Sequence, residues 1–292
     1  SDGGYIVAGS TSYFEAGKPD AWVFKLDDSG NLLWEKTYGG TAWDSAASVQ
    51  QTTDGGYIVA GYTSSFGAGK SDVWVLKLDT DGNIIWQKAY GGINYDHAYS
   101  IQQTLDGGYI MAGKTFSFGA GGSDLWILKL DRSGNVVWQK TYGGEKSDCT
   151  LSIHQIQQTT DGGYVVVSDT NSFNQDPSAL DRPLFWVLKL KMSGDILWEN
   201  NYCCTSVGDA SYFISIQQTK DGGYIMASET YILGPNGTDA LILKLNTDGE
   251  IPGYSGRGKS KAIVNNTKIR GINTSARRVD ISGKDSTETI GR

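Results

Sequence analysis

Helical periodicity is missing from this sequence, and the residues that most often carry chemistry are scarce. Among 292 residues there are two histidines, three cysteines, three methionines and five prolines. His97 and His154 fall at different places in the chain's pattern, so no His/Cys set has the spacing of a metal site, and both are expected at the surface or in turns. Three cysteines are too few for a disulfide framework; Cys149 pairing with Cys203 or Cys204 is the one bridge to consider. No nucleophile elbow or phosphate-binding loop occurs, so no cofactor is expected. No apolar run reaches the length of a membrane span.

Positive charge is also short over most of the chain. Residues 1–250 hold 16 Lys and Arg against 29 Asp and Glu, a balance of −13; residues 251–292 hold 9 against 3, a balance of +6. An acidic body of this kind is a poor partner for nucleic acid. A basic tail beside it is expected to dock on the body or on a copy of it.

What is plentiful is glycine, 39 residues, about twice the usual share, together with a repeated motif. "DGGYIVAG" starts at Asp2 and Asp54, "DGGYIMAG" at Asp106, "DGGYVVVS" at Asp161 and "DGGYIMAS" at Asp221, at spacings of 52, 52, 55 and 60 residues. Each unit reads as four strands: the apolar "GGYIVAG", a run such as "DVWVLKLD", a run such as "NIIWQKAY" and, after Gly-Gly, "HAYSIQQT". A period near fifty with several strands per unit is the mark of propeller blades. The fold expected is all-β: a five-bladed β-propeller of four-stranded repeats of roughly 52 residues over 1–251, a Gly/Ser/Lys linker over 252–261, and a basic, β-rich C-terminal extension over 262–292. Strands that should precede the first "DGGYIVAG" are absent, so the chain reads as a processed or incomplete product.

Within the unit, "LDTDGNIIWQK" at 78–88 imitates a calcium loop, but its glycine is at the fourth position and its flanks are strand-like, whereas a calcium loop wants Gly at the sixth and Glu at the twelfth. Across five copies the acids drift while Gly30, Gly82, Gly134, Gly194 and Gly249 stay, as a hairpin turn needing positive φ requires. Asp79 and Asp81 are weak metal candidates beside the turn reading. Trp22, Trp74, Trp126 and Trp186 share one position, and Trp34, Trp86, Trp138 and Trp198 another. Both sets are expected to pack between blades, with a substrate-stacking platform as the alternative.

Carboxylates recur as rings. Asp20, Asp72, Asp124 and Asp239 precede the second strand, and Asp44, Asp96, Asp148 and Asp209 follow the Gly-Gly turn. Catalysis needs an acid and a base in unlike environments, whereas a residue repeated in every blade sits in the same one. Bonding to turn amides is the plain reading; a sugar or cation site on each blade is the other, with the first ring as ligand candidates.

These residues resemble the bacterial and archaeal β-propeller repeat family known as SBBP, whose unit runs "YGG", Asp-x-Ala, "GGYIVAGxTSS" and "DxWVLKLDxxGN", and the resemblance covers residues 2–251. It implies a secreted or surface protein and says little of activity. The function expected is a non-catalytic, extracellular structural or adhesive propeller, self-assembling into a surface or filament subunit. A carbohydrate-binding propeller is the alternative and a glycan-cleaving enzyme the third reading. Assembly is expected through the extension, with Ala262, Val264, Ile269, Ile272 and Val279 adding as strand to an incomplete propeller edge, in the chain's own body or in the next subunit. Asn236, Asn265 and Asn273 stand in glycosylation sequons and fit an exported chain.

Overall fold

A computed structural model describes residues 3–13, 18–149, 155–173, 184–202, 214–230, 239–252, 263–266, 272–273 and 277–280. Every regular element among them is a β-strand, and the strands form five antiparallel sheets. The first sheet runs β1 (Tyr5–Thr11), β2 (Asp20–Leu26), β3 (Leu32–Gly39). The second is β4 (Asp44–Gln51), β5 (Tyr57–Thr63), β6 (Asp72–Leu78) and β7 (Ile84–Tyr90). The third is β8 (Asp96–Gln103), β9 (Tyr109–Thr115), β10 (Asp124–Leu130) and β11 (Val136–Gly143). The fourth is β12 (Gln155–Gln158), β13 (Tyr164–Thr170), β14 (Leu184–Leu190) and β15 (Ile196–Tyr202). The fifth holds β16 (Ile214–Gln218), β17 (Tyr224–Thr230) and β18 (Asp239–Leu245).

Side-chain alternation along these strands builds the core. In β5, Tyr57 and Val59 face the first sheet while Ile58 and Ala60 face the third. The same division recurs in β9 and β13, so four apolar layers separate five sheets. The strands read as continuous apolar runs because both faces are covered. Trp74, Trp126 and Trp186 are fully buried in these layers, whereas Trp22, with no sheet in front of it, is half-buried on Phe24. Trp34, Trp86, Trp138 and Trp198 are half-buried rather than enclosed.

Polar side chains stitch the inner strands. Gln50 Oε1 accepts from Gln103 N at 2.6 Å, Gln102 Oε1 from Gln158 N at 2.7 Å and Gln157 Oε1 from Gln218 N at 2.9 Å. The second glutamine of each pair reaches the turn of the sheet before it: Gln103 Oε1 accepts from Thr53 N, Gln158 from Leu105 N and Gln218 from Thr160 N. At the outer strands Tyr38, Tyr90 and Tyr142 each donate a 2.6 Å bond to the hairpin carbonyl of the next sheet, at Gly82, Gly134 and Gly194; Tyr202 likewise donates to the Gly249 carbonyl.

The architecture is propeller-like, with its inner strands β4, β8, β12 and β16 lining one central cleft. Closure into a five-membered ring is not seen among the described residues: no substantial strand contact joins the fifth sheet to the first. The extension contributes β19 (Ile263–Asn266), β20 (Ile272–Asn273) and β21 (Arg277–Asp280). These pair antiparallel with the outer strands β11, β7 and β3 of the same chain. The edges they extend are therefore the outer rims of three sheets, not the short first or fifth sheet's missing positions. Val264 lies opposite Tyr142, Ile272 opposite Ala89 and Val279 opposite Thr37; Ala262 and Ile269 lie outside the described residues.

Candidate ligand clefts between the sheets

Each "T-x-D-G-G-Y" turn presents a carboxylate, and at Asp54 and Asp161 it stands at the mouth of a groove between two sheets. In the second sheet Thr52 Oγ1 donates to Asp54 Oδ1 at 2.5 Å, and Gly56 N donates to the same oxygen at 3.1 Å. Lys77 of β6 comes up from below, buried along its stem, and its Nζ lies 3.0 Å from Asp54 Oδ2. The carboxylate itself remains exposed, so the lysine holds it without covering it. The same triad stands at Thr104–Asp106–Lys129, Thr159–Asp161–Lys189 and Thr219–Asp221–Lys244. Burial pushes the Asp106 and Asp161 carboxyls up, but the hydroxyl and ammonium bonds outweigh it and hold both at about 2.

Beside the Asp54 and Asp161 triads stands a tryptophan of the outer strand against a tyrosine of the next sheet, edge to face. Trp86 and Tyr109 are 5.9 Å apart and Trp198 and Tyr224 5.7 Å; Trp34 with Tyr57 and Trp138 with Tyr164 repeat the geometry. Two of these places open as clefts. One of about 620 Å³ lies between the second and third sheets, walled by Trp86, Tyr109, Asp54, Lys77, Gln103 and Arg132. Its counterpart of about 550 Å³ lies between the fourth and fifth, walled by Trp198, Tyr224, Asp161, Lys189, Gln218 and Thr247. All six walls are equivalent repeat positions, and five carry the same residue type. The sixth differs, as does the rim, where Ser133 of the first cleft has Asp248 as its counterpart.

The first carboxylate ring goes elsewhere. Asp72 and Asp124 are buried in the loops at the opposite strand ends, where Asp72 Oδ2 accepts from Ala68 N at 2.8 Å and Asp124 Oδ2 from Ala120 N at 2.9 Å. The partner ring is spent on the Gly-Gly turn: Asp96 accepts from Gly92 N, Ser117 Oγ and Thr115 Oγ1. Asp148 does the same with Gly144 N, Ser172 Oγ and Thr170 Oγ1. Asp20 and Asp44 are likewise buried, Asp239 opens β18 with its side chain outside the described residues, and Asp209 lies outside them altogether. Burial, followed by the neighbouring Asp148 charge, pushes the Asp124 carboxyl up to about 7. These acids staple loops and reach neither cleft.

Other candidates are placed as follows. Both oxygens of Asp79 are taken within its turn, by Asp81 N at 2.9 Å and by Asn83 N and Nδ2 at 2.7 Å. Among the described residues no group of three His, Cys, Asp or Glu is placed to hold a metal. His97 sits half-buried in β8, stacked on Tyr62 at 4.2 Å with Nε2 2.7 Å from Ser71 Oγ, and burial lowers its pKa to about 4. Cys149 is buried, its Sγ donating to Gly113 O at 3.6 Å; Cys203, Cys204, His154 and Asn236 lie outside the described residues. Asn265 and Asn273 are in β19 and β20. The central cleft, about 380 Å³, is lined by the Ser and Gln side chains of the inner strands, several already bonded strand to strand.

No protein-family model matches this chain, and no curated protein does. Among solved structures the chain is similar to a protein of unknown function from Bacteroides caccae. The two share 12% identity at a TM-score of 0.38, over 85% of this chain and 92% of that one. A likeness so distant transfers neither fold nor activity. Fold and clefts together define the class: an all-β repeat protein with aromatic, acid-edged grooves between propeller-like sheets.

Proposed function

We propose that this chain is a non-catalytic, adhesive β-propeller of the SBBP repeat type that binds carbohydrate in the grooves between its blades. The observation that carries the reading is the recurrence of one cleft at two sheet junctions, with Trp, Tyr, Asp, Lys and Gln at equivalent positions. An aromatic wall offers an apolar face to sugar C–H groups and its rim stays wet. The exposed carboxylate and the glutamine amide supply the few placed polar groups a ligand site needs. The lysine fixes the carboxylate before any ligand arrives, which lowers the ordering cost of binding.

A repeated site also argues for multivalent attachment rather than turnover. Two clefts in one chain raise avidity without new contacts, as an adhesive surface protein uses. The third reading, glycan cleavage, needs two carboxyls in unlike environments facing one bond; the first cleft offers one carboxylate, Asp54, held by its lysine, and the second adds only Asp248, which the first lacks, so no carboxyl pair recurs with the cleft. The extension is proposed as an intramolecular strap: the pairing of β19, β20 and β21 within the chain favours that over exchange between subunits.

Screening a glycan panel and then titrating the best ligand calorimetrically tests the reading. The expected result is binding at more than one equivalent site per chain, with Arg132→Ala changing affinity at one class of site and Thr247→Arg at another. No binding across neutral and acidic glycans, or binding that neither variant alters, would overturn it.

A further inference from the structure

The two end sheets expose residues whose counterparts in the second, third and fourth sheets are buried. At the front, Tyr5 is 59% and Val7 37% exposed, while the equivalent Tyr57 and Val59 of β5 are 3% and 0%. At the back, Ile225 is 39% and Ile242 66% exposed, while the equivalent Ile58 and Val75 are both 0%. Lys244 tells the same story: its side chain is 45% exposed, against 5%, 6% and 4% for Lys77, Lys129 and Lys189. Nothing in the residue types separates the ends from the middle. What differs is that a neighbouring sheet covers the middle ones.

The four internal layers say what kind of surface covers each face. A Tyr-x-Val face such as that of β5 packs against the Ala-x-Val and Tyr residues of the sheet before it. An Ile-x-Ala face such as that of β5 and β6 packs against the Tyr, Met and Trp residues of the sheet after it. The front face of the first sheet is thus one half of an interface, and the back face of the fifth is the other half. The described strands of the extension occupy neither: β19, β20 and β21 lie on the outer rims of the third, second and first sheets.

We infer that these two faces form a head-to-tail interface between copies of this chain, the fifth sheet of one copy packing on the first sheet of the next. The contact continues the stacking the molecule already makes four times, which distinguishes it from a chance apolar patch. It is heterologous, so it produces a closed ring or an open filament rather than a twofold dimer. This inference is independent of carbohydrate binding and can fail or hold without it.

Val7→Asp blocks the front face and Ile242→Asp the back face. Both residues are exposed in the single chain, so each variant should melt as the unchanged protein does at concentrations where that protein is monomeric. Sedimentation velocity over a hundredfold concentration range is the readout. The unchanged protein should assemble beyond a dimer, and each variant alone should remain monomeric. An equimolar mixture of the two should form a one-to-one dimer and stop there, because each variant keeps one competent face. A monomeric unchanged protein across the range, a variant that assembles undiminished, or a mixture that stays monomeric would overturn the inference.

Discussion

At Gly91 the backbone and a buried carboxylate compete for one volume. A Cβ there would stand 1.7 Å from Asp72 Oδ1, and the same holds at Gly143 against Asp124, at 1.6 Å. The Asp at the head of the second strand and the first Gly of "YGG" therefore require each other. The sequence carries an internal trace of this: the fourth repeat has Leu184 in place of the Asp and Cys203 in place of the Gly. Gly91→Ala should cost about 1–3 kcal/mol through overpacking. Adding Asp72→Leu should recover part of that cost, a coupling that a double-mutant cycle by chemical denaturation would measure; strictly additive effects would count against it. The raised carboxyl of Asp124 gives a second expectation. Its folded pKa, about 7, lies above the ordinary carboxyl value of 3.8, so its contribution is full below the lower value and lost as pH rises through the upper. The unfolding midpoint should fall between about pH 4 and about pH 7, and fall less in Asp124→Asn. Which acids would reach a ligand was not legible at this scale. Asp54 recurs in all five repeats and Asp72 in four of them, and only the strand register shows one at a cleft mouth and the other buried against a loop.

Between elements, the hairpin that imitates a calcium loop works as a latch. Gly82 has φ +75°, and a Cβ on it would meet Trp34 of the preceding sheet at 3.0 Å, so glycine is required there twice over. The strands and the hairpin were readable from alternation and from the invariant glycine, because both are local patterns. The tyrosine that docks on the next hairpin was not, since Tyr90 and Gly134 are 44 residues apart. The Gln-Gln pairs were read only as strand residues for the same reason: their acceptors face neighbours one repeat away. Tyr90→Phe leaves the buried Gly134 carbonyl without its 2.6 Å donor and should destabilise by about 1–3 kcal/mol. An unfolding free energy unchanged within error would show the latch to be idle.

For the molecule as a whole, the repeat specified a row of stacked sheets, but the number of copies does not specify how far each sheet turns from the last. Ring closure depends on that angle and on what covers the two end faces, and neither is written in a single repeat. The clefts belong to this scale too, because each is walled by two sheets and exists only when they are stacked. Trp86 and Tyr109 are conspicuous in the sequence, yet their shared groove needs the register of β7 against β9. Soaking crystals in the best ligand from the glycan panel tests the central claim most directly. The account predicts sugar density in two equivalent grooves, beside Trp86 with Asp54 and beside Trp198 with Asp161. Density confined to the central cleft or to a loop surface, with both tryptophan grooves empty, would contradict it.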